Sequence, residues 1–239
     1  MSAWKPKRFW SAANVVAVPE GFGVTLDDRP VRTPAKALLV VPTERLAARI
    51  AVEWEAQGKD VDPLSMPFTR AANAALDKVT PQRSEVADMI AAYADTDLLC
   101  YRATAPESLV ERQSRLWDPL LAWAVDVLDA PLRPVAGVIH HPQEAAVLAR
   151  LSKRVHAMDP FTLTAFHDLV GMSGSLVLGF AALLDHRPAQ EIWALSRLDE
   201  TWQAEHWGAD DEAADVAARK ESDFLHAKSF HDLAQRSQD

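Results

Sequence analysis

A single cysteine, Cys100, stands in the 239 residues. One thiol forms no intrachain disulfide and supplies no thiolate cluster for a metal, so the chain suits a reducing compartment. A lone thiol can still be a nucleophile. Asp97-Leu98-Leu99-Cys100-Tyr101, however, reads as a buried apolar stretch, and buried thiols are inert. Apolar runs of membrane-spanning length are also missing. The longest candidate runs from Ser175 to Leu184; a spanning helix needs about twenty residues, so this one reads as a buried core helix. The N-terminus carries no long apolar segment of the secretory kind. Cations are in the minority: 25 Lys and Arg face 34 Asp and Glu, a formal net charge of -9. Such a chain is repelled by phosphate backbones and anionic membranes. We therefore expect no nucleic-acid partner and no membrane insertion. The short Lys5, Lys7, Arg8 cluster is the one local exception and reads as a solvated terminus.

The usual signatures of chemistry are lacking too. There is no Gly-x-x-x-x-Gly-Lys-Ser/Thr loop and no Gly-x-Gly-x-x-Gly, so no nucleotide-binding fingerprint. Gly171-Met172-Ser173-Gly174-Ser175 lacks the Gly-x-Ser-x-Gly order and a preceding strand, so it reads as a turn capping the next helix. His140, His141 and Glu144 form the densest histidine cluster, but adjacent residues of an extended segment point to opposite sides. Asp223 and His226 have the i, i+3 spacing of helical di-metal sites, and no second copy accompanies them. We expect no catalytic residues, no metal and no cofactor. A serine triad is spatial, so spacing alone leaves it open.

What is present is a core and a division. Hydrophobic residues make up 49% of the chain, enough for a sizeable core, and eight tryptophans serve cores and partner surfaces alike. Asn14–Val18, Val24–Leu26, Val31–Thr33 and Leu38–Val41 are short β-prone runs separated by Gly, Pro and Asp, which predict a small antiparallel sheet. A helix follows, with Thr43 as N-cap, a stripe of Leu46, Ile50 and Trp54 laid on the sheet, and a stop at Gly58. From Thr80-Pro81, a cap followed by proline, the pattern turns helical. Val86, Met89, Ile90 and Tyr93 mark one stripe, with the polar Asp97 at its end. Residues 104 to 128 read as two helices or one broken at Pro119. Ser173–Leu184 is apolar nearly all round and predicts the central helix of a bundle. Further helices are predicted from Arg187-Pro188 to about Trp207 and from Asp211 to Leu233. The fold class is α+β: a β-rich N-terminal domain over residues 1–64 and an all-helical domain over 65–239.

One segment departs from this plain pattern. In a single helix over 188–208, Leu195, Leu198 and Trp202 share the core face. Trp193, Glu200 and Trp207 are seven apart and align on the opposite side, with about 20° of drift per step. Two accounts fit an acid between two tryptophans. Either the helix packs on both sides and Glu200 pairs with a base, or Glu200, Trp193, Trp207, Gln203 and Glu205 form a partner-binding patch. Downstream the charge is lopsided: from Asp199 to Asp223 nine acids face only Arg219 and Lys220.

Leu198-Asp199-Glu200-Thr201-Trp202-Gln203 followed by Trp207-Gly208 resembles a C-terminal signature of the ATP synthase assembly chaperones that act on the alpha subunit. Leu26–Pro34, Met66–Arg70, Asp97–Arg102, and Arg112-Gln113 with Trp117–Leu120 are similar to other stretches of that family, in the same order along nearly the whole chain. The resemblance implies a non-enzymatic holder of the free alpha subunit, which suppresses aggregation until beta subunits displace it, without ATP. It associates the acid at Glu200 with function. It further implies a monomer, bacterial and cytoplasmic or, as a mature organellar form, in the mitochondrial matrix. The alternatives are a scaffold or regulator binding another protein through the 188–208 helix, and an enzyme of unidentified type.

Overall fold

The computed structural model describes residues 7–208 and 211–236; Lys5 of the basic cluster and Asp210 of the acidic run lie outside them. The chain is mixed α+β. It divides into two compact units. One takes the residues up to Gln82 together with Pro160–Ala165 and the chain from Ser229 on; the other takes Arg83–Asp159 and Phe166–Lys228. The first unit therefore reaches past residue 64 and draws in two later segments.

In the first unit, β1 (Ala13–Val18) and β2 (Gly21–Leu26) form an antiparallel hairpin in the register Ala13 to Leu26. β3 (Arg29–Pro30) and β4 (Val40–Val41) both pair antiparallel with β2. The segment Asp27–Pro30, which reads as a turn by composition, thus supplies the turn and a two-residue strand. Val31–Thr33 runs on as a loop, held by a bridge from Arg32 to Leu38. Gly21 has φ +151, and a Cβ there would sit 2.3 Å from the Val41 carbonyl oxygen. Only glycine lets β4 approach so closely.

Helix α1 (Glu44–Glu55) begins where expected: the Thr43 hydroxyl accepts from the Leu46 N–H. Its buried face adds Ala47, Ala51 and Glu53 to Leu46 and Ile50, with Trp54 half-buried. The helix ends before Gly58, with Ala56 as C-cap. Glu53 is buried because its carboxylate accepts from the N–H groups of Phe68 and Thr69 and from the Thr69 hydroxyl, at 2.7–2.8 Å. These are the free donors at the start of α2 (Pro67–Ala74), where a negative charge is stabilised. Pro160–Ala165 and the chain from Ser229 close this core through Phe161 stacked on Phe230. The Thr43 hydroxyl donates to the Leu233 carbonyl, and Arg45 donates to the carbonyls of Asp232 and Gln235.

The second unit is helical apart from a parallel pair, β5 (Tyr101–Arg102) with β6 (Val135–Ala136), too short to give a periodic signal. α3 (Arg83–Ala91) starts later than Thr80-Pro81 suggests. Thr80 closes the preceding turn instead, its hydroxyl donating to the Ala75 carbonyl at 2.7 Å. Met89 of the expected stripe is exposed. α4 (Glu107–Leu128) is one helix with Pro119 inside it. α5 (Ala145–His156) and α6 (Pro160–Ser173) follow, and then α7 (Leu176–Leu183), every residue of which is buried. The helix expected from 188 to 207 is two: α8 (Ala189–Ser196) and α9 (Leu198–Trp207), separated at Arg197, whose φ of -106 and ψ of 19 are not helical. α10 (Asp211–Ala234) is last. Asp97, which the stripe reading placed at a helix end, is wholly buried. It accepts from the Leu99 and Val177 N–H groups and from the Ser175 hydroxyl, at 2.7–3.0 Å, and so caps α7. Burial pushes its pKa up against those hydrogen bonds.

Candidate functional site

The break at Arg197 rearranges the wheel on which Trp193, Glu200 and Trp207 were aligned. Trp193 belongs to α8 and is 4% exposed, its ring 5.6 Å from that of Phe224. Its outward placement is therefore corrected: a straight helix would turn Trp193 out, and the non-helical Arg197 turns it in. Trp193 still bears on the surface indirectly. The Arg197 guanidinium lies 5.1 Å from the Trp193 ring centroid and donates to the Glu200 carboxylate at 3.0 Å. Trp193, Arg197 and Glu200 are thus stacked from core to surface. The Glu200 side chain remains 60% exposed, and an exposed ion pair of this kind contributes about 0–1 kcal/mol. Both accounts of Glu200 are met in part: it has a basic partner, and it faces solvent.

The rest of α9 is fixed from below by α4. The Gln113 side chain, 1% exposed, donates to Asp199 at 2.7 Å and accepts from the Ala103 N–H at 2.8 Å. The Trp117 indole N–H donates to the Leu195 carbonyl at 3.0 Å, using one of the free acceptors at the end of α8. Arg112 holds both carboxylate oxygens of Glu205, one of them at 3.0 Å. That bidentate pair holds the Glu205 pKa below the usual carboxylate range and raises that of Arg112. Glu205 is accordingly a clamp between α9 and α4, already engaged within the chain. Leu198 and Trp202 are buried, as the core stripe requires.

At the end of α9 the His206 Nδ1–H donates to the Trp202 carbonyl at 2.8 Å, and the two rings stack 3.9 Å apart. Trp207 meets Trp202 edge-on at 5.6 Å and is 75% exposed. Gln203 is exposed on the same helix. Beside it, Ser108, Glu111, Arg112, Arg115, Leu116, Trp202 and His206 line a groove of about 450 Å³ between α4 and α9. Of the five residues singled out by sequence, Glu200, Gln203 and Trp207 are thus presented outward, Glu205 is tied to Arg112, and Trp193 is internal. Arg197, Arg112 and Gln113 were missed as supports. The signal for two of them was available, because Arg112-Gln113 and Trp117 form one motif and Leu198–Gln203 another, and the structure joins the two.

This arrangement can present a surface. Two groups with displaced pKa values elsewhere are enclosed: burial pushes the Cys100 thiol up to about 12, and Asp97 is consumed as a cap. His167 is exposed and is raised by its hydrogen bond to Asp168. Among the described residues no three His, Cys, Asp or Glu side chains gather as a metal site would require, and no helix is long and apolar enough to cross a membrane. His140 faces Asp95 at 3.3 Å and the Tyr101 hydroxyl at 3.0 Å.

Known proteins resemble this chain over nearly its whole length. The family described as ATP12 chaperone protein matches residues 7–125. The crystal structure of Atp12 from Paracoccus denitrificans is 48% identical, with a TM-score of 0.93 over 96% of this chain and 98% of that one. A point mutant of the same P. denitrificans Atp12p is 47% identical, with a TM-score of 0.94 over the same shares. The protein named atp12, mitochondrial, of Schizosaccharomyces pombe is 24% identical over 222 residues, which span 88% of this chain and 76% of that protein.

Proposed function

The chain belongs to the ATP12 family of ATP synthase assembly chaperones, and from that premise we propose that its client is the unassembled alpha subunit of the catalytic head. The family is one of chaperones, not enzymes. The contact we assign is the outer face of α9, with Glu200 as the charged group, Trp207 as the apolar anchor and Gln203 beside them. The observation that carries this reading is the pairing of an exposed tryptophan with an exposed acid on a helix whose other side is fixed. Large aromatic groups held rigidly at a surface lose little entropy on binding. An acid at the rim steers a basic patch and selects against acidic ones.

The physical logic of holding follows from the client. A free alpha subunit exposes apolar surface that is covered only on assembly, which is an aggregation liability. A holder that covers this surface and binds less tightly than beta is displaced by competition, without a nucleotide. It acts as a monomer, in the cytoplasm of a bacterium or in the mitochondrial matrix. Co-purification of the tagged chain with freshly expressed alpha subunit, with and without excess beta subunit, tests this. Alpha should co-purify, and beta should abolish it. Absence of alpha from the eluate would send the reading to another client.

A further inference from the structure

A second recess lies in the first unit, built from residues that α9 does not touch. Its floor is apolar: Trp10, Leu26, Val31 and Val61 are buried and Trp54 is half-buried, around a cavity of about 230 Å³. Its rim is cationic, with Lys7, Arg29 and Arg32 exposed. In a chain of net charge -9, three cations around one recess are a local inversion of sign. No carboxylate among the described residues reaches ion-pair distance of any of them. Arg29 lies over the ring of Phe9, 5.4 Å from its centroid, and Phe9 is 60% exposed. Arg32 donates to the Lys36 carbonyl at 2.8 Å. Arg8 is different: it is spent on the Trp10, Glu55 and Gln57 carbonyls and on the Glu55 carboxylate.

Among the described residues the indole N–H groups of Trp10 and Trp54 meet no acceptor, and both nitrogens are closed to solvent. Trp10 is 5% exposed. A buried donor left unmade is costly, and neither nitrogen is open to an incoming group while the rings stay as they are. The two rings meet edge-on at 5.3 Å, so both donors belong to one aromatic cluster.

We propose that this recess docks an extended acidic polypeptide segment of a partner protein, whose apolar side chains enter the floor. Its carboxylates meet Lys7, Arg29 and Arg32. A small inorganic anion would satisfy the rim and leave the apolar floor uncovered. The proposal is independent of the alpha-subunit reading, because the α9 face is acidic and calls for a partner of opposite charge.

The test uses the full chain and a fluorescein-labelled eight-residue peptide alternating Leu and Asp, with a Leu and Lys peptide as control. By anisotropy the acidic peptide should bind about tenfold tighter than the basic one, and the gap should narrow as salt is raised. In ¹⁵N-correlation spectra the indole signals of Trp10 and Trp54, assigned by Trp10→Phe and Trp54→Phe, should move on titration. Arg29→Glu with Arg32→Glu, and separately Lys7→Glu, should remove the preference with unchanged circular dichroism, whereas Glu200→Lys should leave it intact. Equal binding of both peptides, no binding of either, or shifts confined to other indoles would overturn the proposal. So would co-sedimentation with phosphatidylglycerol vesicles in place of peptide binding.

Discussion

Glu200 is the residue on which the account turns, and its surroundings separate binding from folding. Its partner Arg197 is one neighbour three residues away, and its side chain faces solvent. Glu200→Lys should change stability by no more than about 1 kcal/mol and weaken alpha-subunit binding about tenfold or more. Chemical denaturation beside a binding titration checks both, and a well-folded variant with full affinity would remove Glu200 from the contact. Glu205 behaves differently because Arg112 already holds it. Folding lowers the Glu205 pKa, so its contribution is present above the unfolded carboxylate pKa and is lost as pH falls through the lower folded value. The difference in Tm between the wild type and Glu205→Gln should therefore be constant near neutral pH and close in acid. A difference that widened in acid would contradict the clamp.

At the scale of elements, the all-buried α7 packs closely on α6. Gly179 sits where a Cβ would come within 2.5 Å of Val170 Cγ2 and 3.1 Å of the Phe166 ring. Gly179→Ala should cost about 1–3 kcal/mol by overpacking, measured by denaturant unfolding; a neutral effect would mean that α6 and α7 slide apart freely. The sequence made α7 and α1 legible, because uniform apolarity and the Thr43 cap with its Leu46 and Ile50 stripe are local signals. It did not reveal the break between α8 and α9. Arg197 is a good helix former, and what stops the helix there is tertiary: Trp193 is drawn toward Phe224 while Trp117 takes the Leu195 carbonyl. The same holds for Glu53 and Asp97, which serve as buried caps of helices remote in sequence. For the candidate surface, Glu200 and Trp207 were legible from helical spacing, whereas the supports Arg112 and Gln113 needed the pairing of α4 with α9.

For the whole molecule, the two kinds of surface have opposite sign: an acidic, tryptophan-bearing face on α9 and a cationic recess in the first unit. A holder needs contact without the affinity of the final assembly, and a modest contact on the α9 face meets that requirement, since it is lost as a competitor gains ground. The central claim is that the chain keeps the free alpha subunit from aggregating and gives it up to beta. Light scattering of alpha subunit diluted from denaturant, in the presence of an equal amount of this chain, measures it most directly. Scattering should stay low, and adding beta should release the chain while the mixture remains clear. Scattering that rises as fast as without the chain, or a complex that beta leaves intact, would contradict the account.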